Sequence, residues 1–329
     1  MAADRTVTGS STAGPDATTP SASATSPSST SSSSPRAGGD APASSPPGGA
    51  QGIAGARPPV SLPSAGAFPV LRWVLRLQRR ALLGWGIALA AVTAMYVSFW
   101  PAMGETAEMQ ALVDSMPEAL VTAMGYDAIG SPAGYLESTV YALLAPILML
   151  VFALGLGARL VAGEEEAGEL ELEATSTVGR TRLLLERYLA LVLGVVWLAV
   201  LVGAVSLGLA RALGMEIGTG PLLGATAGLL LLVLALGSVT FAVGAATGRR
   251  ALALAVGAAV AVLAYVANAL APLLDNGAWL ERLSPFYWYL GNDPLNEGLW
   301  VAGAAALVLL ALVSLVAAVA TYERRDLGV

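Results

Sequence analysis

The chain has 329 residues, 56% of them apolar, with 17 basic residues against 23 acidic ones and a net charge of −6. It has no cysteine, no histidine and no lysine, which excludes disulfide frameworks, Cys/His zinc sites, thiol nucleophiles and Ser-His-Asp triads. The mild negative charge gives no reason to expect a nucleic-acid partner. A chain this long and this apolar is typical of a membrane protein.

Residues 1–65 consist mainly of Ser, Ala, Pro, Thr and Gly. A segment with so few large apolar side chains cannot offset the entropy lost on ordering, so we expect a disordered cytoplasmic tail. It contains no apolar run of the kind that forms the centre of a signal peptide. Two interpretations stay open: a passive tail, including one that arises from a misplaced start codon, and a regulatory tail that is phosphorylated.

The next segment, residues 66–81, has arginines at helical spacing and apolar residues on much of the remaining surface. This pattern predicts an amphipathic helix in the membrane interface, with a tryptophan at headgroup depth. The residues concerned are Arg72, Trp73, Arg76, Arg79 and Arg80. The alternative is that these arginines are only the positive flank of the first membrane span.

Six apolar segments follow, each close to the roughly 20 residues needed to cross a bilayer. We place them at 82–103, 139–161, 188–210, 221–245, 251–271 and 299–320. The fourth and fifth are nearly continuous. We separate them at Thr247–Arg250 because two adjacent arginines at the bilayer centre would cost several kcal/mol.

The loops predict the orientation. Arginines cluster before the first span, at 180–187, at 249–250 and after the sixth span. The 104–138 loop has acidic residues and no arginine, and the 272–298 loop has only Arg282. By the positive-inside rule, both termini are cytoplasmic.

The spans contain almost no residue suited to catalysis. Asn268 is the most polar residue well inside a span, and we interpret it as a helix–helix hydrogen bond rather than a catalytic group. Without lysine there is no G-x-x-x-x-G-K-[ST] loop for ATP. Uphill transport would therefore need a separate energy-supplying subunit, and Gly163–Arg187 is the cytoplasmic loop long enough to receive it.

That loop resembles the membrane subunits, or permeases, of ABC-2 type ABC transporters. Their pattern is E-x-x-G-x-L-E-L-L-L-A-T-P-V-S-R-x-R-L-L. The aligned residues are Glu165, Gly168, Leu170 and Glu171 in EEAGELE, and Val178, Gly179, Arg180, Thr181, Arg182 and Leu183 in VGRTRLL. The sequence departs from the pattern at Glu173, Thr177 and Gly179. The outer loops and the closing YERRDLGV are similar to an actinobacterial branch of drug- and antibiotic-export permeases.

The resemblance implies an all-α membrane protein in which residues 82–329 form a six-span ABC-2 type domain. It further implies an N-terminal interfacial "elbow" helix, a cytoplasmic coupling helix between spans two and three, and re-entrant segments between spans five and six. Pro272 and Pro285 are the predicted breaks in the last of these. ATPase coupling would fall to Glu165, Gly168, Leu170, Glu171, Arg180 and Arg182.

The implied function is the permease subunit of an ATP-driven exporter in the inner (plasma) membrane, moving a hydrophobic or amphipathic substrate. Its partners would be an ABC ATPase subunit, a second permease copy or a paralogue, and membrane lipid. The chain itself would bind no cofactor, because ATP and magnesium belong to the ATPase subunit. A membrane-embedded enzyme and a non-transporting scaffold or sensor are the alternatives.

Overall fold

The structure is a computed structural model that describes residues 68–103, 111, 115–117, 131–163, 179–274 and 277–324. All regular elements in these ranges are helical, and six helical stretches are long and apolar enough to cross a membrane. They are Val70–Ala102, Pro132–Gly163, Arg180–Ala212, Thr219–Thr247, Arg250–Leu273 and Val301–Arg324. This confirms the predicted all-α architecture with six helices able to span a bilayer. The tail lies outside the described residues.

We number the α-helices in chain order. They are α1 (Pro69–Ser98), α2 (Trp100–Met103), α3 (Pro132–Leu136), α4 (Ala145–Ala158), α5 (Arg180–Ala212), α6 (Thr219–Thr247), α7 (Arg250–Leu270), α8 (Ala278–Leu283), α9 (Pro285–Leu290) and α10 (Val301–Arg324). Two π-helical segments, Glu137–Leu144 and Arg159–Gly163, flank α4. A short 3-10 helix, Ala271–Leu273, follows α7.

Helix α1 differs from the prediction, since it is one helix of 30 residues rather than an interfacial helix followed by a span. No Pro or Gly occurs between Val70 and Leu83, so nothing in the sequence bends the helix where the break was expected. At 1.5 Å per residue, α1 is about 45 Å long, against a hydrocarbon core of about 30 Å. Its first turns therefore extend beyond the core.

The second span changes helix type because of a proline. Pro146 is the second residue of α4, and its ring would clash with the carbonyl of the residue four positions earlier in a regular α-helix. The π-helical segment Glu137–Leu144 precedes it, and there the amide of Ala145 donates to the carbonyl of Val140, five residues back. Widening the helix in this way accommodates a proline inside a span.

Helix α6 lies at the centre of the helices, packed against α4, α5, α7 and α10. Its sequence is apolar all round, which is typical of a helix buried on every side. Its approach to α4 is close, because a Cβ added at Gly157 would lie 2.9 Å from the carbonyl oxygen of Gly237. Glycines thus let the two backbones approach at this crossing.

The predicted separation of the fourth and fifth spans is confirmed. Gly248 ends α6 in the left-handed conformation, with φ of 63°, and donates its amide to the carbonyl of Gly244 at 2.9 Å. Helix α7 starts two residues later, at Arg250. The glycine supplies the backbone geometry that the turn needs.

Short helices fill the connection between α7 and α10. Pro272 lies in the 3-10 helix and Pro285 begins α9, so both predicted breaks coincide with changes of element. Ser284 caps α9 by accepting the amide of Phe286 at 3.1 Å, and it donates to the carbonyl of Ala264 on α7 at 2.7 Å. These bonds hold the connection against α7. Its re-entrant path through the membrane stays a prediction.

Candidate functional site

Two groups of polar contacts join the helices, one at each end. The first group lies where α1 and α5 begin and where the second span and α10 end. We call this the basic end, because Arg72, Arg182 and Arg250 are there. The second group lies at the opposite end, where α9 meets the second span.

At the basic end, a buried carboxylate on α5 caps the N-terminus of α1. Glu186 is 2% exposed, and its Oε2 accepts the backbone amides of Val70 at 3.0 Å and Leu71 at 3.2 Å. Its Oε1 accepts from Nε of Arg182, one turn earlier, at 3.1 Å. A negative charge at this position complements the positive end of the helix dipole and satisfies amides that have no partner inside the helix.

Two further contacts join other helices at the same end. Arg159, in the second π-helical segment, donates to the side chain of buried Gln78 on α1. Thr181, in the first turn of α5, donates to Glu323 in the last turn of α10 at 2.6 Å. The start of α5 is therefore bonded to both α1 and α10.

The predicted ATPase-coupling segment connects to this network at both of its ends. Gly163, its first residue, ends the second π-helical segment and lies against Arg250. Gly179, near its end, is the N-cap residue of α5. Both flanks of the segment are thus at the basic end.

Of the six predicted coupling residues, the structure describes Arg180 and Arg182. Arg180 is exposed at the first position of α5, and the side chain of Arg182 is 58% exposed beside Glu186. The other predicted coupling residues lie outside the described residues. They are Glu165, Gly168, Leu170 and Glu171.

The residues predicted to form the interfacial helix occupy the exposed face of the first turns of α1. These residues are Arg72, Trp73, Arg76, Arg79 and Arg80. The opposite face is buried through Leu71, Val74 and Gln78. The predicted amphipathic pattern is therefore present, although on a continuous α1.

At the opposite end, two tyrosines join the second span to α9 and α6. The hydroxyl of Tyr289 donates to the carbonyl of Tyr141 at 3.1 Å, and both residues are buried. The amide of Ala145 donates to the carbonyl of Val140, five residues back. The same spacing pairs the carbonyl of Tyr141 with Pro146, which has no amide hydrogen. Tyr289 thus supplies a donor to a carbonyl that the proline leaves without one.

The tyrosine contact extends across the helices. The hydroxyl of Tyr141 and Oγ1 of Thr226 on α6 are 3.0 Å apart, and the amide of Leu295 donates to Glu137 at 3.3 Å. Together these bonds link the second span, α6 and the connection before α10. One feature of the sequence indicates such bonds, namely Pro146 inside an apolar span. The proline does not show which distant residue supplies the donor.

Polar residues in the spans differ in their bonds: Thr240 and Ser314 donate to a carbonyl four residues earlier in their own helix. The side chain of Asn268 makes no hydrogen bond with a described residue, so the helix–helix bond predicted for it is not seen there. Ser238 on α6 and the hydroxyl of Tyr188 on α5 are 2.9 Å apart. Within the described ranges, no group of three His, Cys, Asp or Glu side chains is placed to hold a metal ion. The described part of the site thus consists of polar contacts between helices.

Comparison with known proteins gives one family. A family model described as the C-terminal domain of the multidrug efflux system permease Rv1217c matches residues 70–323. The match begins at the start of α1 and ends in the last turn of α10. A search of curated proteins finds no match.

Proposed function

The chain belongs to the family of the multidrug efflux permease Rv1217c C-terminal domain, and we propose that it is the transmembrane subunit of an ATP-driven ABC exporter of the ABC-2 type. Family membership and six helices able to span a bilayer make it a membrane-embedded efflux permease. The proposal adds the energy source, the side of the membrane on which it acts, and the assembly.

Placement of the ends of the Gly163–Arg187 segment carries the proposal. The segment leaves the second span at Gly163, and its last residues, from Arg180, form the first turns of α5, which is bonded there to α1 and α10. A partner that pushes on this segment would move three helices together. Within the chain, no lysine exists to complete an ATP-binding loop of the Walker type, so the ATPase, with its ATP and magnesium, is a separate subunit.

A second permease copy or a paralogue completes the assembly in this proposal. Helix α1 and the fifth span are each only 22% buried along their most apolar windows, against 61% for the second and fourth spans. The exposed faces are apolar and suit both lipid and a second permease. A hydrophobic or amphipathic substrate fits such surfaces. In this proposal the chain lies in the inner membrane with both termini cytoplasmic, and the substrate is exported.

The test removes single charges from the segment. We expect that at least one of Glu165→Ala, Glu171→Ala and Arg180→Ala weakens binding of the ATPase encoded by a neighbouring gene by about tenfold, because truncation leaves a partner charge unpaired. Binding and substrate-stimulated ATP hydrolysis are measured on the purified complex. Arg211→Ala is the matched control, since Arg211 is an exposed arginine at the opposite end.

Wild-type binding and hydrolysis in all three variants would contradict a coupling role for the segment. Absence of any ATPase that binds the wild-type chain would contradict the proposed function itself. The two failures are therefore distinguishable.

A further inference from the structure

Four arginines form an exposed stripe on the first three turns of α1. We call Arg72, Arg76, Arg79 and Arg80 the arginine stripe. Their spacing of four, three and one residues puts them on one face of the helix. The packing of Leu71, Val74 and Gln78 against the other helices fixes that face outward.

The positive charge of the stripe is not neutralised within the described part of the chain. Helix α1 contains no acidic residue, and none of the four guanidinium groups makes a hydrogen bond or ion pair with any described residue. By contrast, Arg159 and Arg182 at the same end are bonded to Gln78 and Glu186. The four guanidinium groups are therefore open to an anionic partner from outside these residues.

The course of α1 indicates that this partner is lipid. The same face continues toward the membrane as Leu83 and Ile87, which are 55% and 70% exposed. An arginine surface that turns into an apolar surface along one helix matches the change from headgroups to acyl chains. Trp73, 46% exposed beside the arginines, is a residue type that prefers this depth.

We propose that the arginine stripe binds the phosphate groups of anionic phospholipids in the leaflet at the basic end. The planar guanidinium group suits phosphate because it can donate two parallel hydrogen bonds to it. Four such groups within about 12 Å of helix, at 1.5 Å per residue, attract several anionic headgroups at once.

The test measures lipid selectivity of the full chain. The protein is reconstituted in phosphatidylcholine vesicles with a trace of spin-labelled phosphatidylglycerol or spin-labelled phosphatidylcholine, and the ratio of their association constants is determined. We expect the wild-type chain to prefer phosphatidylglycerol, with an upper bound of about fivefold for each arginine that meets a phosphate.

Matched variants separate charge from fold. Arg76→Gln with Arg80→Gln should reduce the preference, and the fourfold Gln variant should bring the ratio close to one. The Arg76→Lys, Arg80→Lys pair should keep most of it, because both labelled lipids carry a phosphate and the net charge of phosphatidylglycerol is what distinguishes them. Arg211→Gln with Arg282→Gln, a pair of exposed arginines at the opposite end, should keep the wild-type ratio.

Salt provides a readout that needs no substitution. At about 1 M ionic strength the screening length falls to about 3 Å, and the wild-type preference should largely disappear. A wild-type ratio near one, a salt-independent ratio, or an unchanged ratio in the fourfold variant would each overturn the proposal. An unchanged ratio together with lost ATPase binding would assign the stripe to a protein partner instead.

Discussion

The cap that Glu186 places on α1 predicts a local effect of known size. Pro69 has no amide hydrogen, Arg72 donates to the carbonyl of Phe68, and the two amides between them donate to Glu186. Glu186→Ala would leave these two amides without a protein acceptor and Arg182 without its partner. Hydrogen bonds to charged groups contribute about 1.5–3 kcal/mol each, and water at the membrane surface replaces part of the loss.

We therefore expect Glu186→Ala to lower the free energy of local opening at the start of α1 by about 2–3 kcal/mol. Since every 1.4 kcal/mol is a factor of ten, hydrogen exchange at Val70 and Leu71 should be about 30 to 150 times faster. Glu186→Gln keeps an oxygen acceptor but loses the charge that faces the helix dipole and Arg182, so we expect a loss of about 1 kcal/mol.

Hydrogen exchange followed by mass spectrometry, on the purified full chain, measures this effect. Glu323→Ala is the control, because Glu323 is exposed at the same end and is bonded to α5 rather than to α1. Its loss should change local opening at the start of α1 by no more than about 0.5 kcal/mol. Unchanged exchange at the start of α1 in Glu186→Ala would refute the cap. An equal effect of Glu323→Ala would show that the whole end loosens rather than this one contact.

Three other predictions concern the central contacts and the tail. Gly157→Ala should destabilise the protein by about 1–3 kcal/mol, because the added methyl meets the carbonyl of Gly237. Gly155→Ala, with open space around it, should raise the stability by up to about 1 kcal/mol. The opposite order of the two variants in thermal unfolding would contradict the close helix crossing. Tyr289→Phe should cost about 1–3 kcal/mol in the same assay, because it leaves a buried carbonyl without a donor, and a neutral result would mean that this carbonyl has another partner. Deletion of residues 1–60 should leave membrane insertion and ATPase binding intact, and loss of the complex at equal expression, measured by co-purification, would show that the tail binds something.

The spans could be predicted from the sequence because each one is a local property. Length, apolar content and the Gly248–Arg250 turn are all contained in short windows, and the structure places helices there. The same reasoning split α1 in two, because a change from arginines to apolar residues looks like a boundary. The stretch from Val70 to Leu83 has no Pro or Gly, and the helix crosses the boundary there as one element.

The hydrogen bonds between helices could not be predicted in this way. Glu186 lies 116 residues from Val70, and Tyr289 lies 148 residues from Tyr141. Hydrophobic periodicity describes which face of a helix is apolar and contains no information on which distant residue meets it. A charged residue beside a predicted span, such as Glu186 just before the third one, is nevertheless a useful signal, because burial of a charge requires partners.

Cysteine accessibility tests the central claim most directly, since an ATPase can act on the Gly163–Arg187 segment only from the cytoplasm. The chain has no cysteine, so single substitutions report without background. We expect an impermeant thiol reagent to label Asp127→Cys and Asn292→Cys in intact cells, and Thr181→Cys only after permeabilisation. Labelling of Thr181→Cys in intact cells would place the segment outside and contradict the account.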